Sequence, residues 1–434
     1  MPTKSIILSL LAAALCAMDV HSQAILAPTA ISASNAFNGY KPHHFCSFGA
    51  SYVHFLADPS GSNVRQLWRA DGTLGGTQVL TNFTEPIQRL GCSTSLLYFY
   101  TGINPKKLYS ASGAVNFTTQ IPSSLLMPEL DEGVMLGSEL VFSEGGVKLV
   151  KTNGSAAPLI LSSVSSISKL CSWNGRVFFA GATYNQGVEL YVTDGTVAGT
   201  QLFKDICPGA TGSNPKDFIV IGNKLYFTAV SVAGGKRELW VSSGLSFNTM
   251  KVKEVGEVRG KMEPLTANSM AFPQKFYFVV AGANGNDNVW ESNGTPEGTK
   301  KLSLPVLTSG IIQLLPIMDG WVRFFAKDIA GNGQLYKVTF YVNSVMAPTA
   351  AIEYSMPAGT VGRSVGLCNG KLFYTTGGSG NTKLWTMVGG APVQVRPTSN
   401  QISWEVEGNS YVHRNWLYFT ADAGGGGYEL YKVQ

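Results

Sequence analysis

Charge is scarce in this chain. Only 14% of its 434 residues are Asp, Glu, Lys or Arg, against 44% hydrophobic residues, which excludes a disordered, highly charged polymer. The net charge of +5 comes without any Lys/Arg-rich run, so no nucleic-acid partner is expected. Amphipathic segments of helical period and useful length are missing, which excludes a helical bundle. Beyond the N-terminus no apolar run reaches the roughly 20 residues that a bilayer crossing needs. Cysteine is sparse too, at 6 residues, so no dense disulfide scaffold holds the fold and its core must come from packing. Catalytic signatures are absent as well. There is no G-x-S-x-G elbow, no phosphate-binding loop and no arginine triad of the sialidase kind.

The first residues read MPTKSIILSLLAAALCAMDVHSQA. Lys4 gives a short basic region, Ile6 to Met18 an apolar one, and Val20-His21-Ser22 a cleavage site before Gln23. Residues 1–22 therefore read as a secretory signal peptide, and the mature protein is expected outside the cell. An uncleaved anchor is the alternative, disfavoured because the apolar run is short. With Cys16 in the leader, Cys46, Cys92, Cys171, Cys207 and Cys368 remain. An odd number leaves at least one thiol unpaired or bonded to another molecule.

Glycine, by contrast, is plentiful at 49 residues, which implies many tight turns. The turns recur in order. QLWRADGTLGGT (66–77), ELYVTDGTVAGT (189–200) and NVWESNGTPEGT (288–299) are the clearest copies, each preceded by a strand such as YVHFLAD, RVFFAGA or KFYFVVA. Anchoring on Leu67, Leu108, Leu149, Leu190, Leu239, Val289, Leu335, Leu384 and Leu430 gives nine units spaced 41, 41, 41, 49, 50, 46, 49 and 46 residues apart. Each unit fits four short strands, A to D, joined by hairpins. In the turn motif, Asp71-Gly72-Thr73, Asp194-Gly195-Thr196 and Asn293-Gly294-Thr295 pair an Asx side chain that bonds the backbone two residues on with a glycine free to take unusual angles. A motif repeated in hairpin after hairpin reads as a folding device.

Four-stranded units of this length in series predict a single closed β-propeller over residues 23–434. Nine blades are preferred, with eight or ten as alternatives and a β-solenoid as the structural runner-up. The ends supply a test. The ninth unit stops at Gln434 directly after its strand C, and the strand-like AILAPTAISA (24–33) has no partner of its own. Residues 24–33 are therefore expected to supply strand D of the last blade.

On these residues the chain resembles the ELWxxDGT repeat family, secreted and often bacterial proteins built of such repeats. The likeness spans nearly all of 45–434 and is strongest in the first, fourth and sixth units. It implies a propeller and carries over no catalytic residue. The family's acidic loop after the LYF strand survives here only as Asp58, Asp328 and Asp422.

In a propeller the D–A loops share one face with the B–C loops, and variable loops on a rigid scaffold are where binding concentrates. Those loops are read here as 121–133, 207–217, 258–264, 355–363 and 395–405. The leading expectation is a non-catalytic binding, adhesion or scaffold module for a glycan or surface protein. The alternative is a glycoside hydrolase or polysaccharide lyase using Asp131, Glu132, Glu263 or Glu405, with Glu129 and Glu407 nearby; a surface-layer role is third. His43, His44, His54 and His413 gather near the ring's closure with Cys46, but His43 and His44 start a strand whose far end lies beside His413, about 17 Å away. Only Cys46 and His54 are expected to face each other, as packed residues. A Cys46–Cys92 bridge between neighbouring blades stays open, given Cα atoms within about 7 Å. No cofactor is expected; calcium at the Asp58 and Asp328 loops or at NGNDN (284–288) lacks the ordered spacing of a calcium loop. Asn82, Asn116, Asn153 and Asn293 are N-glycosylation acceptors in a eukaryotic host. Oligomeric state is left open.

Overall fold

The computed structural model describes residues 29–30 and 42–434, the latter with gaps inside connections such as 266–274, 303–308 and 340–348. The signal-peptide reading lies outside the described residues. The chain forms nine four-stranded antiparallel sheets, a nine-bladed β-propeller. In blade 1 the strands are His43–Cys46, Val53–Ala57, Gln66–Ala70 and Gln78–Val79. Blades 2 to 8 repeat the meander, with strand A at Ile87–Cys92, Pro128–Leu136, Ser165–Trp173, Lys216–Ile221, Val258–Pro264, Ser309–Leu314 and Arg363–Cys368 in turn. Each strand A lies beside that of the next blade, and strand A of blade 9, Glu405–His413, lies beside that of blade 1. The ring is therefore closed around a channel walled by the nine A strands.

Strand B explains why the blades stack. Its residues are buried on both sides, as in VHFLA and FYFVV, so the pattern is a continuous apolar run and not an alternation. Alternate side chains nevertheless go to different neighbours. In blade 6, Phe276, Phe278 and Val280 pack into the cluster shared with blade 5, while Tyr277 and Val279 pack against blade 7. The same division holds at blade 9, where Leu417, Phe419 and Ala421 face blade 8 and Tyr418 faces blade 1. Nine apolar clusters result, one at each blade-to-blade interface.

The seam is closed as the ends of the sequence require. Thr29 pairs with Lys432 and Ala30 with Tyr431, so Thr29–Ala30 is strand D of blade 9, antiparallel to Tyr428–Val433. Ser47 adds a second tie, since its hydroxyl lies 3.0 Å from Tyr411 Oη and 3.0 Å from His413 Nδ1.

Among the described residues the only helical element is the short 3-10 turn Ser246–Asn248, and no helix is long and apolar enough to cross a membrane. Deleting residues 24–33 removes the pairing at the seam. We expect a stability loss of about 2 kcal/mol, at roughly 1 kcal/mol per lost backbone hydrogen bond, read as a lower urea midpoint. An unchanged midpoint would show that another contact closes the ring.

Candidate functional site

The repeated turns are built by local hydrogen bonding. Asp71 Oδ1 accepts from Thr73 N at 2.8 Å and Thr73 Oγ1 at 2.7 Å, and Gly76 N donates to Thr73 Oγ1 at 3.1 Å. Asp194, Thr196 and Gly199 repeat the pattern, as do Asn293, Thr295 and Gly298. A Cβ on Gly199 would sit 2.0 Å from Asp194 Oδ1, so the second glycine is required by the closeness of the Asx side chain. The first glycine has a different task. Gly294 has φ +83, and a Cβ there would lie 2.3 Å from Tyr226 Oη of the preceding blade. Gly72 meets Tyr418 and Gly195 meets Leu136 in the same way. In blades 1, 4 and 6 the turn thus seats the blade on its neighbour while its Asx and Thr side chains face outward. Asn153 and Asn293 occupy the Asx position of such turns, Asn82 and Asn116 lie elsewhere, and all four are exposed.

A further polar device was not read from the sequence. In blades 1 and 4 the Gln or Glu before the Leu-aromatic pair of strand C holds the D–A connection. Buried Glu189 accepts from Ile206 N at 2.8 Å, Cys207 N at 3.2 Å, Ser213 N at 2.8 Å and Ser213 Oγ at 2.6 Å. Gln66 holds Phe83 in blade 1 through both of its amide atoms. The signal was the recurring Glu or Gln before the Leu-aromatic pair, an unusual position for a charge inside a buried strand.

The candidate site is a cavity of about 470 Å³ in the channel wall. Arg259, Gly260, Lys261 and Glu263 come from strand A of blade 6, Gln313 from blade 7 and Gly366 from blade 8. Sequence reading placed 258–264 in a loop; the structure corrects this, because the whole stretch is strand A. The reason is a bulge. Arg259 pairs with Val279 and Glu263 with Tyr277, so extra residues are spliced in between them. Gly260 takes φ +71 there, and a bulge bends its strand and re-aims its side chains. Met262 is tucked into the core, whereas Lys261 and Arg259 are exposed. Asp287, from the NGNDN segment and fully buried in its side chain, lies 3.5 Å from Arg259 Nε. Burial pushes the Glu263 carboxyl above its usual range, against the opposing pull of Lys261. Its aliphatic floor of Val279, Ile311, Leu314 and Val365 thus carries the Lys261 ammonium, the Asp287-paired Arg259 guanidinium, an amide and one carboxylate, a set suited to an anionic or polyhydroxylated ligand.

The other acidic candidates are also relocated. Glu129, Asp131 and Glu132 belong to strand A of blade 3 and not to a loop, again beside a bulge. Glu405 and Glu407 belong to strand A of blade 9. Those strands lie in blades 3 and 9, each three blades from the strand of Glu263. Asp328 is occupied by its own loop, since its carboxylate accepts from Ala330 N, Asn332 N and Gln334 Nε2. Among the described residues no group of three or more His, Cys, Asp or Glu side chains is arranged to hold a metal.

The histidines divide as the strand length requires. His43 and His44 sit together at the start of strand A, ring centroids 4.6 Å apart. Cys46 pairs with His54 at its other end. His413 joins this second group through Ser47, a contact that sequence reading missed. Burial, the Arg69 guanidinium and His413 lower His54 from 6.5 to about 4.

The fold and these geometries define the class: a nine-bladed β-propeller with a cavity of mixed polar and aliphatic lining on its channel wall. No protein-family description matches the chain, and no curated protein does.

Gly294→Ala should cost about 2 kcal/mol or more, measured by urea unfolding, and a Tyr226→Phe background should recover part of that loss. His54 binds its proton near 6.5 in the unfolded chain and near 4 in the fold. Its contribution, about 3 kcal/mol, is full above 6.5 and disappears as pH falls through 4. His54→Gln should flatten that part of the stability profile; an unaltered profile would show that His54 keeps its ordinary affinity for protons.

Proposed function

We propose that the protein is a secreted, non-catalytic propeller that binds an extracellular glycan or a surface protein bearing anionic groups. One observation carries this reading: the channel-wall cavity, where Arg259 and Lys261 stand exposed beside Gln313 and a single lining carboxylate, Glu263. Cations and an amide recognise carboxylate or sulfate groups by charge-assisted hydrogen bonds. Hydrolysis of a glycosidic bond ordinarily uses two carboxylates about 5–9.5 Å apart, and the second is not among the lining residues. The leader-like N-terminus supports secretion, and the likeness of the turns to the ELWxxDGT repeat family supports an extracellular setting.

A second reading has one observation in its favour. Glu263 is half-buried and holds its proton more tightly than an ordinary carboxyl, the property of a general acid. A propeller hydrolase or lyase would use it so.

One experiment separates the two. Uronate-rich, sulfated and neutral polysaccharides are titrated by calorimetry and incubated for release of reducing ends. The binding reading expects affinity for an anionic polymer that falls about tenfold in Lys261→Ala, the loss of one charge-assisted contact, and survives Glu263→Gln. Release of reducing ends by the wild type, abolished in Glu263→Gln, would establish the enzyme instead.

A further inference from the structure

Four cysteines stand in the channel wall. Cys46, Cys92 and Cys368 each end strand A of their blades, and Cys171 lies near the end of another. Successive A strands run side by side, so equivalent positions in adjacent blades approach most closely. Blades 1 and 2 are adjacent and carry cysteine at that same position. Cys46 and Cys92 lie on adjoining A strands and share one apolar cluster. The Cys92 thiol also donates to Ser47 O at 3.6 Å, the residue whose hydroxyl reaches Tyr411 and His413 of blade 9. All five described cysteines are thiols in the structure.

We propose that Cys46 and Cys92 are a reversible dithiol–disulfide pair that locks blade 1 to blade 2 beside the seam of the ring. The two thiols are not equivalent. Cys92 is half-exposed and Cys46 is buried. The neighbouring Cys46 side chain makes the Cys92 thiol more acidic than usual, while burial makes the Cys46 thiol less so. Cys92 is therefore the attacking sulfur and Cys46 the resolving one.

With glutathione disulfide as oxidant, the Cys92 thiolate attacks one of its sulfurs. The sulfur–sulfur bond breaks, one glutathione thiolate leaves, and a mixed disulfide forms on Cys92. Cys46 then gives up its proton and attacks Cys92 Sγ, expelling the second glutathione. Two electrons have passed to the oxidant, two protons have left the protein thiols, and two glutathione thiols are released. The new bond cross-links the neighbouring A strands of blades 1 and 2. A reducing thiol reverses each step.

The test is to equilibrate the purified full chain with glutathione disulfide, quench in acid, alkylate under denaturing conditions and map the peptides by mass spectrometry. The expected result is one linked Cys46–Cys92 peptide, two hydrogens lighter than its separate halves. Cys171, Cys207 and Cys368 should be alkylated throughout. Cys46→Ser should trap glutathione on Cys92, whereas Cys92→Ser should leave Cys46 without an adduct. The oxidised wild type should melt at a higher temperature than the reduced one. Full alkylation of both residues under oxidant, pairing of either with another cysteine, or identical melting of the two forms would overturn the proposal, and none of these wild-type readouts needs a variant to fold.

Discussion

Every other feature depends on the two-sided burial of strand B. A single blade offers two apolar faces and can hide neither alone. Phe276 and Phe278 need blade 5, and Tyr277 and Val279 need blade 7. At roughly 25 cal/mol per Å² of apolar surface removed from water, an end blade with one bare face is an unstable object. Closing the ring removes both ends at once. That is why the cluster of Val53, Phe55 and Trp68 with Tyr418 and Leu430 matters as much as any interior one: it is an ordinary blade interface made between the first unit and the last.

Polar devices then fix how the blades meet. Stacking by apolar contact alone sets no angle and no height. The turn glycine does, because it brings the backbone of one blade against the Tyr226 or Tyr418 ring of its neighbour. The Glu189 carboxylate does the same for the chain's return to the channel, by satisfying backbone N–H groups that the D–A connection would otherwise bury without partners. Both are hydrogen-bonding solutions placed where packing leaves a degree of freedom.

This division explains what could be read in advance. Strands B and C carry large apolar residues in fixed order, so the repeat and the preferred blade count were legible from the spacing of Leu67 to Leu430, and the seam from the unpartnered strand-like stretch 24–33. Strand A was harder to read. It faces the channel, is rich in polar residues and glycine, and carries a bulge against strand B in all nine blades. Stretches such as VRGKMEP therefore look like loops when judged by composition, and Glu129, Glu263 and Glu405 were placed in loops for that reason. Cys46 opposite His54 was legible because a hairpin fixes it. The bond from His413 to Ser47 was not, because it crosses from the last blade to the first.

The bulges also say where such a protein is free to change. The central positions of strand B serve the interfaces, and Glu189 and Gln66 of strand C serve the loops. A bulge inserts residues that pair with nothing on strand B. Those of its side chains that face the channel can therefore vary, while one such as Met262 still packs into the blade interface. In blade 6 that freedom takes the form of Gly260 and Lys261 between the paired Arg259 and Glu263. Eight more bulges stand around the same channel, each able to present different groups. A ring built this way keeps its packing constant while the chemistry of its channel is set one blade at a time, which is the property a binding scaffold requires.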